Sequence, residues 1–334
     1  MARIGYGQVL GLTALASVAL VMPAWAEWSL RGGSKVNYTD NVFTYSAVFE
    51  RELLDDPTLP SPALVRKGGD VIWEPSLELS WSPRVGTRPL KIDVKAVGLV
   101  YTDKPIFNHG DFRFQLRQRL SEHNSVRLRY QTQPDVFIQE NFERRTGAHL
   151  IKDMRVTSHI GSLEVARSLG EHWKFLIEGR YGVRLYNDPF AERDTRLWTI
   201  GPAIQWAIGL GMTVTVEYLY ERGLADGRGD TRFNDDVSYK YHLAELAVTV
   251  PLPRSWELSL GYIYGRKRFT SELVGDTEHL GRRDMTHQGH AELSHTFNDR
   301  TSLMFGFRRT QRTSTNALFP FNSTLFSVGV EYLF

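Results

Sequence analysis

The alternation of apolar and polar residues at every second position constrains this chain more than any other feature. In the segment 256–265, tryptophan, leucine and tyrosine at the even positions alternate with mostly small or polar residues at the odd positions. Successive side chains of a strand point to opposite faces, so this segment has one apolar, aromatic face and one polar face. Segments of similar length and pattern recur from Glu27 onward, and no helix of useful length is predicted. The chain is therefore predicted to be all-β.

Two kinds of connection alternate between these segments. Short ones lie at 84–88, 121–124, 169–172, 209–211, 251–254 and 298–300. Long polar ones lie at 44–69, 141–154, 226–236 and 271–284, with shorter members at 105–111, 188–194 and 317–322. This order predicts about 14 strands joined as hairpins, with both termini on the short-turn side. In bacterial outer-membrane barrels the short turns are periplasmic and the long loops are extracellular.

The large aromatic residues distinguish a membrane barrel from a soluble β-sandwich. One set lies beside the short turns, namely Trp81, Trp173, Trp206 and Trp256, and another lies nearer the long loops, namely Tyr130, Trp198, Tyr220 and Tyr264. A sandwich should hold its large rings at mid-strand, whereas a barrel in a bilayer has an aromatic girdle at each interface. An open sheet edge would leave backbone groups unpaired in hydrocarbon, so the sheet must close. The predicted fold class is a transmembrane antiparallel up-and-down β-barrel.

Composition argues against several other classes of protein. Hydrophobic residues make up 42% and charged residues 23% of the chain, and beyond residue 26 no apolar run reaches the roughly 20 residues of a spanning helix. The 40 basic and 38 acidic residues nearly balance, which gives no overall attraction to nucleic acid. There is no cysteine, which excludes disulfides and thiolate metal sites. No nucleotide-binding or nucleophile-elbow motif is present, and neither a cofactor nor a metal is expected.

The amino-terminal segment has the features of a secretory signal peptide. Arg3 is followed by an apolar stretch from about Val9 to Met22, and then by Ala24-Trp25-Ala26, an A-x-A cleavage site. We therefore predict a signal peptide at 1–26, export through the periplasm, and a single outer-membrane barrel domain at 27–334.

Two short segments resemble known families. The last strand alternates Phe326, Val328, Val330 and Tyr332 and ends on Phe334, and it resembles the C-terminal β-signal by which the barrel-assembly machinery recognises bacterial outer-membrane proteins. The run 38–43, Tyr-Thr-Asp-Asn-Val-Phe, precedes a long loop and then the strand around 70–81, and it is similar to porin-like barrels encoded beside exopolysaccharide loci. This second resemblance implies a transport or export barrel and carries over no catalytic residue.

Strand parity assigns many charged side chains to the lumen. The first half of the strands supplies a positive wall, which includes Lys91, Lys95, Arg113, Arg117, Arg127, Arg129, Arg180 and Arg184. The later strands supply a mostly negative wall, which includes Glu217, Glu257 and Glu292. Opposite walls of opposite sign create a transverse field that favours polar solutes, and arginine is well suited to carboxylates and phosphates. The alternative is that these charges pair across a narrow interior and fill it.

These features predict a porin or channel that passes small polar or anionic solutes, acidic saccharides among them, or that aids exopolysaccharide export, with the loop 44–69 as its gate. Two other functions remain open, namely an enzyme with an active site at the rim and a structural barrel whose lumen a partner occupies. The expected partners are outer-membrane lipid, lipopolysaccharide and the barrel-assembly machinery. The sequence leaves the oligomeric state unknown.

Three groups of residues could suggest other chemistry. His287, His290 and His295 share a predicted strand, but parity turns His290 away from the other two, which leaves too few ligands for a zinc site. Ser294 beside His295 cannot form a nucleophile–base pair because adjacent strand residues face opposite ways. The acidic loop 226–236 lacks the ligand spacing of a known calcium loop and is expected to be solvated.

Overall fold

The described residues form fourteen long antiparallel strands and one two-residue strand. The computed structural model describes residues 27–42, 68–86, 88–148 and 150–334. The strands are β1 (Glu27–Thr39), β2 (Asp70–Ser82), β3 (Arg84–Val85), β4 (Arg88–Tyr101), β5 (His109–Arg119), β6 (Asn124–Phe142), β7 (Ile151–Leu169), β8 (Trp173–Tyr186), β9 (Thr195–Ile208), β10 (Met212–Ala225), β11 (Tyr239–Leu252), β12 (Trp256–Phe269), β13 (Arg283–Asn298), β14 (Thr301–Ser314) and β15 (Phe321–Leu333). Short 3₁₀ turns occupy Pro105–Phe107, Asp188–Arg193 and Gly209–Gly211.

The sheet closes on itself. Each long strand pairs with the next one along the chain, β2 pairs with β4, and β3 only extends the first short turn. β1 pairs with β2 on one side and with β15 on the other, from Arg31 opposite Leu333 to Thr39 opposite Leu325. Closure satisfies the backbone groups of the first and last strands, which would otherwise be sheet edges. The predicted up-and-down barrel of fourteen strands is confirmed.

Within the described part of the chain, no helix is long and apolar enough to span a membrane.

The two faces of the wall differ in chemistry because of the strand period. Apolar side chains stay largely exposed on the outer face, as shown by Ile177 at 61%, Ile200 at 60% and Val216 at 53%. Fully buried apolar residues are few and lie mainly toward the long-loop end, where the Phe107 and Phe137 rings meet edge to face at 5.0 Å. A soluble protein could not leave so much apolar surface in water, whereas lipid covers it.

An aromatic girdle lies at each end of the outer face. At the short-turn end, Trp173 stacks on Trp206 at 5.2 Å and Trp28 stacks on Trp81 at 5.3 Å. At the long-loop end the girdle contains three copies of one arrangement, in which a tyrosine hydroxyl meets a histidine Nδ1 on the next strand. The pairs are Tyr130–His159 at 2.7 Å, Tyr218–His242 at 2.7 Å and Tyr262–His287 at 2.6 Å. Amphipathic rings with polar tips suit the boundary between hydrocarbon and headgroups.

The loop 141–154 is the clearest difference from the predicted connections. β6 continues to Phe142 and β7 begins at Ile151, so that both strands are 19 residues long and only 143–150 connect them. Residues 141–154 are polar enough to read as a loop, but register shifts after Gln133 and Phe137 let the paired strands continue beyond the membrane. The predicted signal peptide and nearly all of the loop 44–69 lie outside the described residues.

Candidate functional site

The lumen of the barrel is the candidate site. The strand positions predicted to face it are those that alternate with the exposed apolar residues of the outer wall. All the cations and glutamates assigned to the lumen by parity occupy such positions, namely Lys91, Lys95, Arg113, Arg117, Arg127, Arg129, Arg180, Arg184, Glu217, Glu257 and Glu292. The assembly-signal residues Phe326, Val328, Val330, Tyr332 and Phe334 are instead between 40% and 68% exposed on the lipid side.

One line of directly opposed residues shows how charge changes sign around the lumen. Lys91 lies opposite Arg117, and Arg117 lies opposite Arg127. Arg127 is then opposite Glu164, which is opposite Glu178. Three cations on neighbouring strands are thus followed by two acids on the next two strands. Further along, Glu217 of β10 faces Glu245 of β11 in the same way.

The cationic wall also contains acids that the parity assignment did not include. Lys91 Nζ lies 3.0 Å from Asp93 Oδ1, and Lys95 Nζ lies 3.8 Å from Glu78 Oε2.

On the next strands, Arg127 pairs with Glu164, and Arg180 Nη2 lies 2.7 Å from Glu178 Oε2. The prediction of a strongly positive wall was therefore too simple. The same parity would have identified these acids, since they alternate with apolar residues just as the arginines do.

A subset of the lumen cations has no acidic partner within the described ranges. Arg113, Arg117 and Arg129 form no salt bridge there, and the only side-chain hydrogen bonds of Arg129 go to Gln115 Oε1, at 3.1 Å. On the facing strands Glu217, Glu257 and Glu292 likewise have no salt bridge to a described cation. Among the described residues, the unpaired charges of the lumen therefore include cations on β5 and β6 and glutamates on β10, β12 and β13, together with cations on β8 and β14 such as Lys174 and Arg308.

A polar cavity lies against the inner side of β5–β10. It has a volume of about 440 Å³ and is lined by Arg117, Arg127, Arg129, Lys174 and Arg180 together with Glu164, Glu178 and Glu217. Its lining is mostly charged or hydroxylic, so it suits water and polar solutes rather than apolar ligands.

A hydrogen-bonded network crosses the lumen wall nearer the long loops. Glu221 accepts hydrogen bonds from Thr199 Oγ1 at 2.8 Å and from Tyr239 Oη at 2.6 Å. Arg184 Nη1 in turn donates to Tyr239 Oη at 3.2 Å. These contacts join β8, β9, β10 and β11 and fix their side chains, so this part of the wall is a rigid, polar rim.

The long loops after β10 and β12 meet in a buried cluster of charges. Arg193 Nε donates to Asp235 Oδ2 at 2.5 Å. His279 Nδ1 lies 2.9 Å from Asp276 Oδ1. Asp276 also accepts the backbone N–H of Asp236 at 2.9 Å. The expectation of a solvated acidic loop is therefore wrong for Asp235 and Asp236, which are 1% and 5% exposed. Arg193 from another loop binds the Asp235 carboxylate, and Asp236 Oδ1 accepts the backbone N–H of Ser238.

The same cluster is where metal ligands come together in the described part of the chain. Ligand-type atoms of Asp235, Asp276 and His279 lie within 4.8 Å of one another. However, Asp276 is engaged by the His279 ring and by two backbone N–H groups, and Asp235 is engaged by Arg193. These contacts make the cluster an ion-pair network that joins three loops, those after β8, β10 and β12.

The residues considered for catalysis are not arranged for it. His287 and His295 lie on the outer face, against Tyr262 and Trp256, whereas the His290 ring lies over Gly261 on the inner face. Ser294 therefore lies on the opposite face from His295.

At the rim, Ser271, Asp276 and His279 lie close together, and the Ser271 hydroxyl bonds to Asp276 rather than to the histidine. All three are almost fully buried, so a substrate could not reach this group.

No family model matches the sequence, and no curated protein is similar to it in sequence. Solved structures share the fold. The outer-membrane channel DcaP of Acinetobacter baumannii aligns at a TM-score of 0.52 and 9% identity, over 94% of this chain and 99% of that one. OmpT, an outer-membrane protein of Vibrio cholerae, gives the same values. The anion-selective porin from Comamonas acidovorans aligns at 0.50 and 10% identity, over 92% and 100%.

At these identities the likeness concerns the fold alone. Together with the closed sheet and its apolar outer face, it shows that the chain has the fold of the porin-like β-barrels of bacterial outer membranes.

Proposed function

We propose that this barrel is a passive outer-membrane channel for small polar solutes, with a preference for anions. The observation that carries this proposal is the distribution of unpaired charge in the lumen. Arg113, Arg117 and Arg129 lie on two adjacent strands without an acidic partner among the described residues. Cations held in place around a polar cavity raise the local concentration of anions and lower the barrier to their passage.

The glutamates on the facing strands give the lumen a transverse field rather than a uniform positive potential. Glu217 and Glu245 are directly opposed across β10 and β11. Such a field orients dipolar solutes and favours them over apolar ones. The proposed substrates are small carboxylated or phosphorylated molecules. Acidic saccharides are one such class, because their hydroxyl groups can hydrogen-bond to the polar wall and their carboxylate can bind the forked arginine side chains.

The resemblance at residues 38–43 supports a related cargo, an acidic exopolysaccharide on its way out of the cell. The same arginines would bind its carboxylates. The names of the structural neighbours support a channel in general, since DcaP is described as an outer-membrane channel and the Comamonas protein as an anion-selective porin. The domain assignment 27–334 remains part of this proposal.

The test is the reversal potential of the purified barrel in planar bilayers under a gradient of potassium chloride. We expect anion selectivity in the unmodified barrel, and a marked loss of it in the variant Arg113→Gln/Arg117→Gln/Arg129→Gln, because the unpaired cations are gone. The matched control is Glu217→Gln/Glu257→Gln/Glu292→Gln, which should increase the preference for anions. Selectivity should weaken at high salt, since the Debye length falls from about 10 Å at 0.1 M to about 3 Å at 1 M.

Cation selectivity that the arginine variant leaves unchanged would contradict the proposal. Absence of conductance would contradict it as well and would favour an occupied lumen. If lipid or peptide hydrolysis accompanied that absence, the enzyme alternative would gain support.

A further inference from the structure

Four cations form a continuous row on the outer face of the barrel. Arg222 of β10 lies directly opposite Lys240 of β11, which is opposite Arg268 of β12, which is opposite Arg283 of β13. All four side chains are exposed. They share the outer face with Tyr218, Leu246, Tyr262 and His287, because each member of the row is an even number of positions from the one of these residues on its own strand. We call these four residues the cationic row.

The row has no acidic counterpart among the residues that the structure describes. None of its members forms a salt bridge with any other described residue, although like charges directly opposite on neighbouring strands repel each other. Two other outward arginines near the long-loop end differ in this respect. Arg196 lies 3.8 Å from Asp226, and Arg309 lies 3.8 Å from Asp40. On the outer face, this row of directly opposed, unpaired cations lies on β10–β13, which points to an anion supplied from outside the chain.

The height of the row identifies the surroundings from which that anion comes. Arg222 and Lys240 lie two residues beyond Tyr220 and His242, which belong to the girdle at the long-loop end. The ring centroids of Tyr220 and His242 are 5.1 Å apart. Two residues of strand correspond to about 7 Å, less the effect of strand tilt. Aromatic girdles mark the edge of the hydrocarbon, so the row lies at the level of the headgroups. The long loops are extracellular, which makes this the outer leaflet.

Below the row, and below Arg266 of β12, β10–β12 present a mostly apolar surface. Val216 and Leu246 are exposed at 53% and 46%, and Tyr262 at 47%. A molecule that met both features would have phosphates or carboxylates at its head and acyl chains beneath. A soluble anion would match only the row, and a second copy of the barrel would bring another cationic row rather than a complementary charge.

We infer that the outer face of β10–β13 is a binding site for a phosphorylated glycolipid of the outer leaflet, with the cationic row binding its phosphate groups. Three arginines provide planar forks that match phosphate oxygens, and Lys240 adds a point charge. The anion also relieves the repulsion within the row. The site is independent of the lumen and of the channel proposed above.

The experiment uses full-length barrel in phosphatidylcholine vesicles, with and without a bisphosphorylated glucosamine-disaccharide glycolipid such as lipid A. The first measurement is the glycolipid retained per barrel after extraction and gel filtration. The second is the temperature at which the compact, heat-modifiable form is lost on a gel. The variant is Arg222→Gln/Lys240→Gln/Arg268→Gln/Arg283→Gln, and the matched control is Arg196→Gln/Arg309→Gln at a similar height.

We expect the row variant to retain about tenfold less glycolipid than the unmodified barrel, since charge-assisted hydrogen bonds to phosphate are lost. The control should retain as much as the unmodified barrel. The heat stability of the row variant relative to the unmodified barrel should differ between vesicles without and with the glycolipid. Without glycolipid the row variant should be at least as heat-stable as the unmodified barrel, because repulsion is removed, and with glycolipid only the unmodified barrel and the control should gain stability.

Equal retention by the variant and the unmodified barrel would overturn the inference. Equal binding of the dephosphorylated glycolipid would overturn it too, because the phosphates would then play no part. Displacement of the glycolipid by inorganic phosphate at equal concentration would show a site for a free anion rather than for a lipid. The variant Arg222→Lys/Arg268→Lys/Arg283→Lys keeps the charge and should retain most of the glycolipid, which separates loss of binding from failure to fold.

Discussion

Gly201 of β9 lies where the ladder between β9 and β10 is interrupted. The register runs from Met212 opposite Ile208 to Glu217 opposite Ala203, and it resumes at Tyr220 opposite Ile200. Pro202 lies in the gap and has no N–H to donate to the ladder. Here the β10 backbone approaches so closely that a Cβ on Gly201 would overlap the Tyr218 carbonyl oxygen and lie 2.7 Å from Leu219 Cδ2. Glycine is therefore required for its lack of a side chain, not for an unusual φ.

The substitution Gly201→Ala should destabilise the barrel by about 1 to 3 kcal/mol, the usual cost of overpacking. The strand must shift because the atoms in contact belong to the backbone of β10. The measurement is the temperature at which the compact form is lost on a gel. Gly179→Ala on β8 is the matched control, since a Cβ there would meet no atom within 4 Å. Equal melting temperatures for the two variants would refute the close approach.

At the scale of elements, the loops at the extracellular end are fixed by charges rather than by apolar packing. Burial by itself would raise the pKa of Asp276. Hydrogen bonds from His279, Ser271 and the Asp236 backbone, together with the positive charge of His279, outweigh burial and lower that pKa to about 2. A carboxylate whose pKa is lowered in the folded state stabilises that state above its ordinary pKa of 3.8 and ceases to do so as the pH falls toward 2.

We therefore expect the loop 270–282 to stay docked above about pH 4 and to loosen between about pH 4 and pH 2. Hydrogen exchange of peptides from this loop, corrected for the intrinsic exchange rate at each pH, measures the docking. In Asp276→Asn the protection should be lower and should not change across this range. Full protection at pH 2 in the unmodified barrel would exclude Asp276 as the group that holds the loop.

At the scale of the whole molecule, the seam between β1 and β15 makes the sheet a barrel. Val36 and Val328 lie directly opposite each other on this seam, and both face outward, with exposures of 49% and 50%. The last residue takes part as well, since the Phe334 backbone N–H donates to the Leu30 carbonyl oxygen at 2.9 Å. Whether Phe326 to Phe334 also serve as an assembly signal stays a prediction.

Because the chain has no cysteine, a disulfide can be placed on the seam without competition. Directly opposed residues of antiparallel strands have Cα atoms about 4.5 to 5.5 Å apart, which lies within the range that a disulfide bridges. The variant Val36→Cys/Val328→Cys should therefore cross-link on oxidation and migrate differently from its reduced form after boiling. Val36→Cys/Leu260→Cys, with the second cysteine on β12, should not. An open sheet would give no cross-link in either variant.

The alternation of residues along the chain determined the strands, their number and the face on which each side chain lies. Because the period of a strand is two, parity alone placed Arg117 inside and Trp206 outside, and the order of short and long connections implied hairpins. Parity also places Asp93, Glu164 and Glu178 inside, although only basic residues were predicted for that part of the lumen wall. Strand period, side-chain face and connection length depend on neighbouring residues in the chain, so they can be predicted from one sequence.

The tertiary structure decided which residues meet across strands and loops. The register brings Arg222, Lys240, Arg268 and Arg283 into one row, although up to 61 positions separate them in the sequence. The pairing of β11 with β12 likewise brings the loops after β10 and β12 together, where Asp235 is buried against Arg193 of a third loop and Asp276 accepts the Asp236 backbone N–H. Register and loop packing depend on the sum of many distant contacts, so alternation along one strand contains no information about them.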